Sequence, residues 1–96
     1  MQMDGSKNSF NVVAMTISAH GSDMTIAGGV TTSFSTKSGY YAKKYFPKDD
    51  NRSFDLINVD GEVKATGYKD GSFEIHDQQW IETASCDIAD HFDVGS

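Results

Sequence analysis

The run Phe10-Asn11-Val12-Val13-Ala14-Met15-Thr16-Ile17-Ser18-Ala19, continued by His20-Gly21-Ser22-Asp23 and by Met24 to Phe34, decides how this chain is read. In the first arm Val13, Met15, Ile17 and Ala19 alternate with Ala14, Thr16 and Ser18. In the second, Met24, Ile26, Gly28, Val30, Thr32 and Phe34 fall on alternate positions. Alternation is the signature of a half-buried strand. With residues 20–23 as the loop, Ala19 faces Met24, Ile17 faces Ile26, Met15 faces Gly28 and Val13 faces Val30. All four pairs then share one face, and a one-residue slip would turn them outward. The stretch therefore predicts a β-hairpin.

Working outward, Phe54 to His76 is punctuated by Asp60-Gly61 and Asp70-Gly71, and Asp-Gly is a strong hairpin signal. A two-residue loop at the first predicts Asn58 opposite Val63, Leu56 opposite Ala65, and Phe54 near Gly67. A two-residue loop at the second would put Phe73 and Ile75 on the wrong parity. A three-residue loop, Lys69-Asp70-Gly71 with Gly71 left-handed, sets Phe73 against Gly67 and Ile75 against Ala65. The outer face then carries Asp55, Glu62, Lys64, Thr66, Glu74 and His76, a solvated surface.

Between these regions, Ser38 to Phe46 fits either a short helix or an edge strand. Gly39 and three tyrosines favour the strand. After Asp77 the period changes: Ile81, Ala84, Ile88 and Phe92 recur at three, four and four, which is a helical stripe with Asp77 as N-cap. The expected fold is α+β, mainly an antiparallel sheet of about five strands in two hairpin or meander regions, with one C-terminal helix; all-β is the alternative. Residues 1–8 read as a flexible polar tail and 9–93 as one domain.

Composition narrows the class. At 96 residues, 38% hydrophobic and 23% charged, the chain suits one globular core. Cys86 is the single cysteine, so an internal disulfide framework is excluded. The apolar stretch at Val12 to Ile17 reads as neither signal peptide nor membrane span, and the expected location is cytoplasmic. Charge is split along the chain. Residues 1–48 carry five lysines against two acids, a net of +3, and residues 49–96 carry three bases against twelve acids, a net of −9, summing to −6.

Catalytic and metal chemistry find little support. Asn58-Val59-Asp60-Gly61 resembles the middle of a calcium loop, but its first and twelfth positions would be Leu56 and Gly67. His20, His76, His91 and Cys86 lack paired zinc spacing. Cys86 lies beside Asp87, which disfavours a thiolate. Gly28-Gly29 is too short for a dinucleotide fingerprint, and Asn51-Arg52-Ser53 without an export signal is a chance glycosylation match. The chain reads as a non-enzyme without cofactor or metal.

Surface recognition remains. Tyr40, Tyr41, Tyr45 and Phe46 interleave with Lys43 and Lys44, a composition suited to anchoring in a protein pocket. A net charge of −6 argues against direct nucleic-acid binding. Carboxylates spaced like phosphates can instead fill a basic groove on a larger protein. The expected function is thus a small acidic protein-binding inhibitor, of the kind made by phages and mobile elements against host defence or by immunity systems against nuclease toxins. Trp80 and the tyrosines would anchor, while Glu82, Asp87, Asp90 and Asp93 would steer and pair. The alternative is a virion or tail subunit assembling through a strand edge. No membrane role is expected, and oligomeric state is open.

Overall fold

The computed structural model describes residues 4–26 and 29–92. Helix α1 (Asp4–His20) is followed by strands β1 (Ser22–Ile26), β2 (Gly29–Ser35), β3 (Tyr40–Tyr45), β4 (Arg52–Ile57), β5 (Val63–Tyr68) and β6 (Phe73–Ile75), and then by helix α2 (Gln78–Phe92). The strands form one six-stranded antiparallel sheet in sequence order. Both helices lie on one face and pack against each other. Extents of 37 × 34 × 22 Å fit two layers, a sheet and a helix pair.

The expected first hairpin is corrected. Phe10 to Ala19 is helical, and α1 begins inside the segment read as a polar tail. Phe10, Val13, Ala14 and Ile17 are buried at spacings of three, one and three, one helical face. Met15, which strand alternation places inside, is 69% exposed. The ambiguity lies in Val13 and Ile17, which are four apart and satisfy both periods; Phe10 and Ala14 fit only the helix. Gly21 ends the helix, its N–H donating to the Ile17 carbonyl at 2.8 Å. The second arm of the expected hairpin instead folds on itself, pairing Met24 with Thr31 and Ile26 with Gly29. Gly28 lies outside the described residues.

The β4 to β6 meander has the expected register. Leu56 faces Ala65, Phe54 faces Gly67, Gly67 faces Phe73, and Ala65 faces Ile75. Gly71 has φ +92°, and Tyr68 N–H donates to the Ser72 carbonyl at 2.9 Å across the three-residue loop. The Asp60-Gly61 turn differs from expectation. Asn58 does not pair with Val63, because its side-chain oxygen accepts from the amides of Asp60 (3.0 Å) and Glu62 (2.9 Å). This Asx-type turn tightens the loop, and a register shift between Leu56 and Ile57 puts Ile57 against Val63.

A second correction concerns the face away from the helices, which is not solvated throughout. Asp55 and Thr66 are each only 4% exposed. Thr66 Oγ1 donates to Asp55 Oδ1 at 2.8 Å and has His76 Nε2 at 3.3 Å. One hydroxyl proton serves one acceptor, so that second contact puts the proton on Nε2. Arg52 approaches the other Asp55 oxygen at 4.0 Å. Buried polar groups persist when hydrogen-bonded in this way.

The core under α1 is aromatic with one charge in it. The Phe10 ring stacks on Phe73 at 4.6 Å and on Phe54 at 5.8 Å. Phe54 lies over Gly67, where a Cβ would fall 2.5 Å from the ring. Lys43, 8% exposed, reaches from β3 to α1, donating to the Ala14 carbonyl (3.2 Å) and Ser18 Oγ (2.6 Å). Its ammonium sits 4.2 Å from the Phe54 ring centre, a cation–π contact.

Two tests follow from this packing. Gly67→Val should push Phe54 off its seat and lower unfolding free energy by about 1–3 kcal/mol, read by urea denaturation; an unchanged midpoint would show that the ring can move aside freely. Burial holds the Lys43 ammonium below its ordinary 10.5. Its charged form is therefore disfavoured by folding, and that penalty is relieved as pH climbs from the folded value towards 10.5. The natural chain should gain stability relative to Lys43→Met as pH rises towards 10.5. Parallel pH curves for the two proteins would refute it.

Candidate functional site

Alternation along β3 divides the aromatic and basic run that the sequence presents as one patch. Tyr41, Lys43 and Tyr45 point to the helices, whereas Lys44 is exposed on the opposite face and Tyr40 is half-buried there. Tyr41 and Lys43 are buried, and Tyr41 reaches solvent only where it lines a recess beside Trp80. Tyr45 is half-buried beside Ser18, with the two oxygens 3.4 Å apart. Lys44 stands 5.7 Å from the Phe46 ring centre. A single surface cluster of tyrosines is therefore not formed.

A different grouping appears where α2 crosses one end of the sheet. Asp77 caps the helix, its Oδ1 accepting from the Trp80 amide at 3.0 Å. That bond first, then the Lys64 ammonium, holds the Asp77 carboxyl below the usual carboxylate range. Ile81, Ala84 and Ile88 are buried against the core. The neighbouring stripe, Trp80, Thr83, Asp87 and Asp90 with His91, turns towards the β2–β3 turn. That spacing of three, four and three is a second helical face.

One carboxylate joins this stripe to the sheet. Thr36 Oγ1 donates to Asp87 Oδ2 at 2.6 Å, and Tyr41 donates its phenolic proton to the same oxygen. Thr36 Oγ1 in turn accepts from the amides of Ser38 (3.1 Å) and Gly39 (3.0 Å), closing the turn. Burial, and then the hydrogen bond to Asp87 and its charge, push the Tyr41 phenol above its ordinary value. The Tyr41 ring meets Trp80 edge-on at 5.8 Å. The α2 stripe is thereby fixed against the turn.

Two adjoining recesses result. One, of about 380 Å³, is lined by Thr36, Lys37, Ser38, Asp87, Asp90 and His91. The other, of about 240 Å³, lies between Ser38, Tyr40, Val59, Trp80 and Thr83. Val59 is 72% exposed at its rim. Asp60 and Glu62 belong to the same turn as Val59, and Glu82 follows Ile81 on α2 with Gln78 donating to it at 2.7 Å. This end holds six carboxylates, Asp60, Glu62, Asp77, Glu82, Asp87 and Asp90, against Lys37 and Lys64. Lys64 is engaged by Glu62 (3.5 Å) and Asp77 (3.3 Å). The opposite end is balanced: Lys48, Arg52 and Lys69 match Asp49, Asp50 and Asp70. There Arg52 pairs with Asp49, and Lys69 donates to the Pro47 and Asp49 carbonyls.

Of the residues singled out from sequence, the structure thus brings Tyr40, Tyr41, Trp80, Asp87 and Asp90 to the two recesses, with Glu82 nearby. Asp93 lies outside the described residues. Thr36, Lys37, Ser38, Val59, Thr83 and His91 were not anticipated. The helical spacing of Trp80, Thr83 and Asp87 was a usable signal; the turn that forms the facing wall gave none. Among the described residues no three His, Cys, Asp or Glu side chains are grouped to hold a metal ion, and no helix is long and apolar enough to cross a membrane. Compared with known proteins, the chain matches no family model, no curated protein and no solved structure.

Tyr41→Phe removes one of the two donors to Asp87 without changing ring volume. It should cost about 1–3 kcal/mol in unfolding free energy and shift the amide resonances of Thr36 and Asp87. Unchanged stability and spectra would mean that the tie is formed by Thr36 alone.

Proposed function

We propose that this chain is a small protein-binding inhibitor that sets its acidic pole against a basic surface of a larger protein, such as a nucleic-acid-handling enzyme or a nuclease toxin, and blocks it sterically and electrostatically. The observation that carries this reading is the concentration of unneutralised carboxylate at the end that also presents the exposed Val59 and the half-buried Trp80. Asp60, Glu82, Asp87 and Asp90 take no ion pair among the described residues, while Val59 and Trp80 lie between them. Charge of one sign on one pole accelerates encounter with the opposite sign, and desolvated aromatic contacts then slow dissociation. A charge excess serving solubility alone would have no reason to gather around such anchors.

The test is capture from nuclease-treated lysate of the source or its host with a tagged chain, at low and at moderate salt. The natural protein should retain a large basic protein at low salt and release it as salt rises. The variant Asp60→Asn/Glu82→Gln/Asp90→Asn, altered only at exposed positions, should recover about tenfold less. Equal recovery by the variant would overturn the reading. So would a solution mass by light scattering at a multiple of 10.5 kDa with no partner captured, which would favour assembly through the edge strands β1 and β6.

A further inference from the structure

The two recesses share Ser38 and run side by side along α2, and their chemistry differs from one end to the other. Resting on the protein-binding reading, we infer that they form one docking groove for an extended segment of the partner, which seats an aliphatic or aromatic side chain beside Trp80 and an arginine or lysine side chain between Asp87 and Asp90. Charge complementarity selects this occupant. Asp87 Oδ2 is saturated by two hydroxyl donors, while Oδ1 takes no hydrogen bond among the described residues, and neither does Asp90. A carboxylate already held in place gives up little freedom when a guanidinium arrives.

The apolar recess argues for a peptide over a free cation. Trp80 and Val59 offer an aromatic and aliphatic surface that a small ion would leave uncovered. Spacing sets the register of the segment. The centres of the two recesses on α2 lie near Thr83 and near Asp90, about 10 Å apart at 1.5 Å per residue. An extended chain covers that distance in about three residues, and its side chains alternate in direction, so the two anchors fall two or four apart. Lys37, on the facing turn, opposes the cation and limits the groove to one basic side chain. That gives the proposal a sign that can be reversed by mutation.

Synthetic peptides of glycine and serine bearing one leucine and one arginine, in either order and two, three or four residues apart, are titrated into the full isotopically labelled chain and followed by amide and indole resonances. Even spacings should shift Trp80, Ser38 and Asp90 saturably. Three-residue spacing and single-anchor peptides should bind at least about threefold more weakly. Lys37→Glu should tighten binding, and Asp90→Asn weaken it, each by about two- to fivefold, the scale of an exposed ion pair. Both positions are exposed, and the spectra of the free variants verify that each is folded. Absence of saturable shifts at Trp80, binding indifferent to the arginine, or equal response to free arginine alone would overturn the groove. If capture of the large partner still depends on Asp60, Glu82 and Asp90 while every peptide fails, the groove falls and the acidic-pole reading stands. If peptides bind as expected but no basic partner is captured, the pole reading falls and the groove remains a site for a different protein.

Discussion

The seating of α1 on the sheet is the constraint from which the rest of the helical layer follows. Phe10 stacks between Phe54 and Phe73, and this is possible because Gly67, paired with both in the ladder, leaves the space that the Phe54 ring occupies. Lys43 fixes the same helix further along through Ala14 and Ser18. Stacking supplies apolar burial without direction, while the ammonium supplies direction at a desolvation cost that its carbonyl, hydroxyl and ring partners offset only in part. Once α1 is seated, α2 has one remaining place, alongside it, with His20 and Phe92 stacked at 4.4 Å where the two helices end. The groove and the acidic pole are consequences of that placement.

The meander from β4 to β6 was legible because two independent signals had to agree. Gly71 was required to be left-handed by turn chemistry, and the three-residue loop was required by the parity of Phe73 and Ile75; the register satisfies both. Helix α2 was legible for a similar reason, since Asp77 and the stripe Ile81, Ala84, Ile88 place its start and its buried face. The N-terminal stretch misled because hydrophobic alternation was its only argument. Val13 and Ile17 serve a helix as well as a strand, and nothing local tells Met15 to face water. The absence of Gly, Pro or an Asp-Gly pair between Phe10 and Ala19 was the overlooked fact, for ten residues without a breaker are long for a strand and ordinary for a helix.

The candidate site was half legible for a reason of scale. Trp80, Asp87 and Asp90 sit on a helix whose faces can be drawn from sequence. The facing wall comes from Thr36 to Tyr41, some forty to fifty residues earlier, and is joined to α2 through the Tyr41 and Thr36 hydroxyls and the Tyr41 ring. No pattern within either segment announces a hydrogen bond to the other. The β3 residues misled in the opposite direction: Tyr40 to Tyr45 look like one cluster along the chain, and the two-residue period of the strand then sends alternate members to opposite faces.

Charge, too, changes meaning between chain and fold. Along the sequence the divide falls near residue 48, which would suggest an acidic half and a basic half. In the sheet the antiparallel meander returns each strand to the end it came from, so acids of the second half are shared between both ends. At the β3–β4 and β5–β6 turns Asp49, Asp50 and Asp70 are equalled in number by Lys48, Arg52 and Lys69, with Asp49 and Arg52 paired, so that group carries no net charge. Those at the α2 end meet only Lys37 and Lys64, and Lys64 is already shared between Glu62 and Asp77. The surplus is thus a product of topology: the turn in which each base falls decides which end keeps a net negative charge. A field arranged in this way points along the strands and out past Trp80, so the proposed basic partner would be steered to the end where Trp80 and Val59 stand.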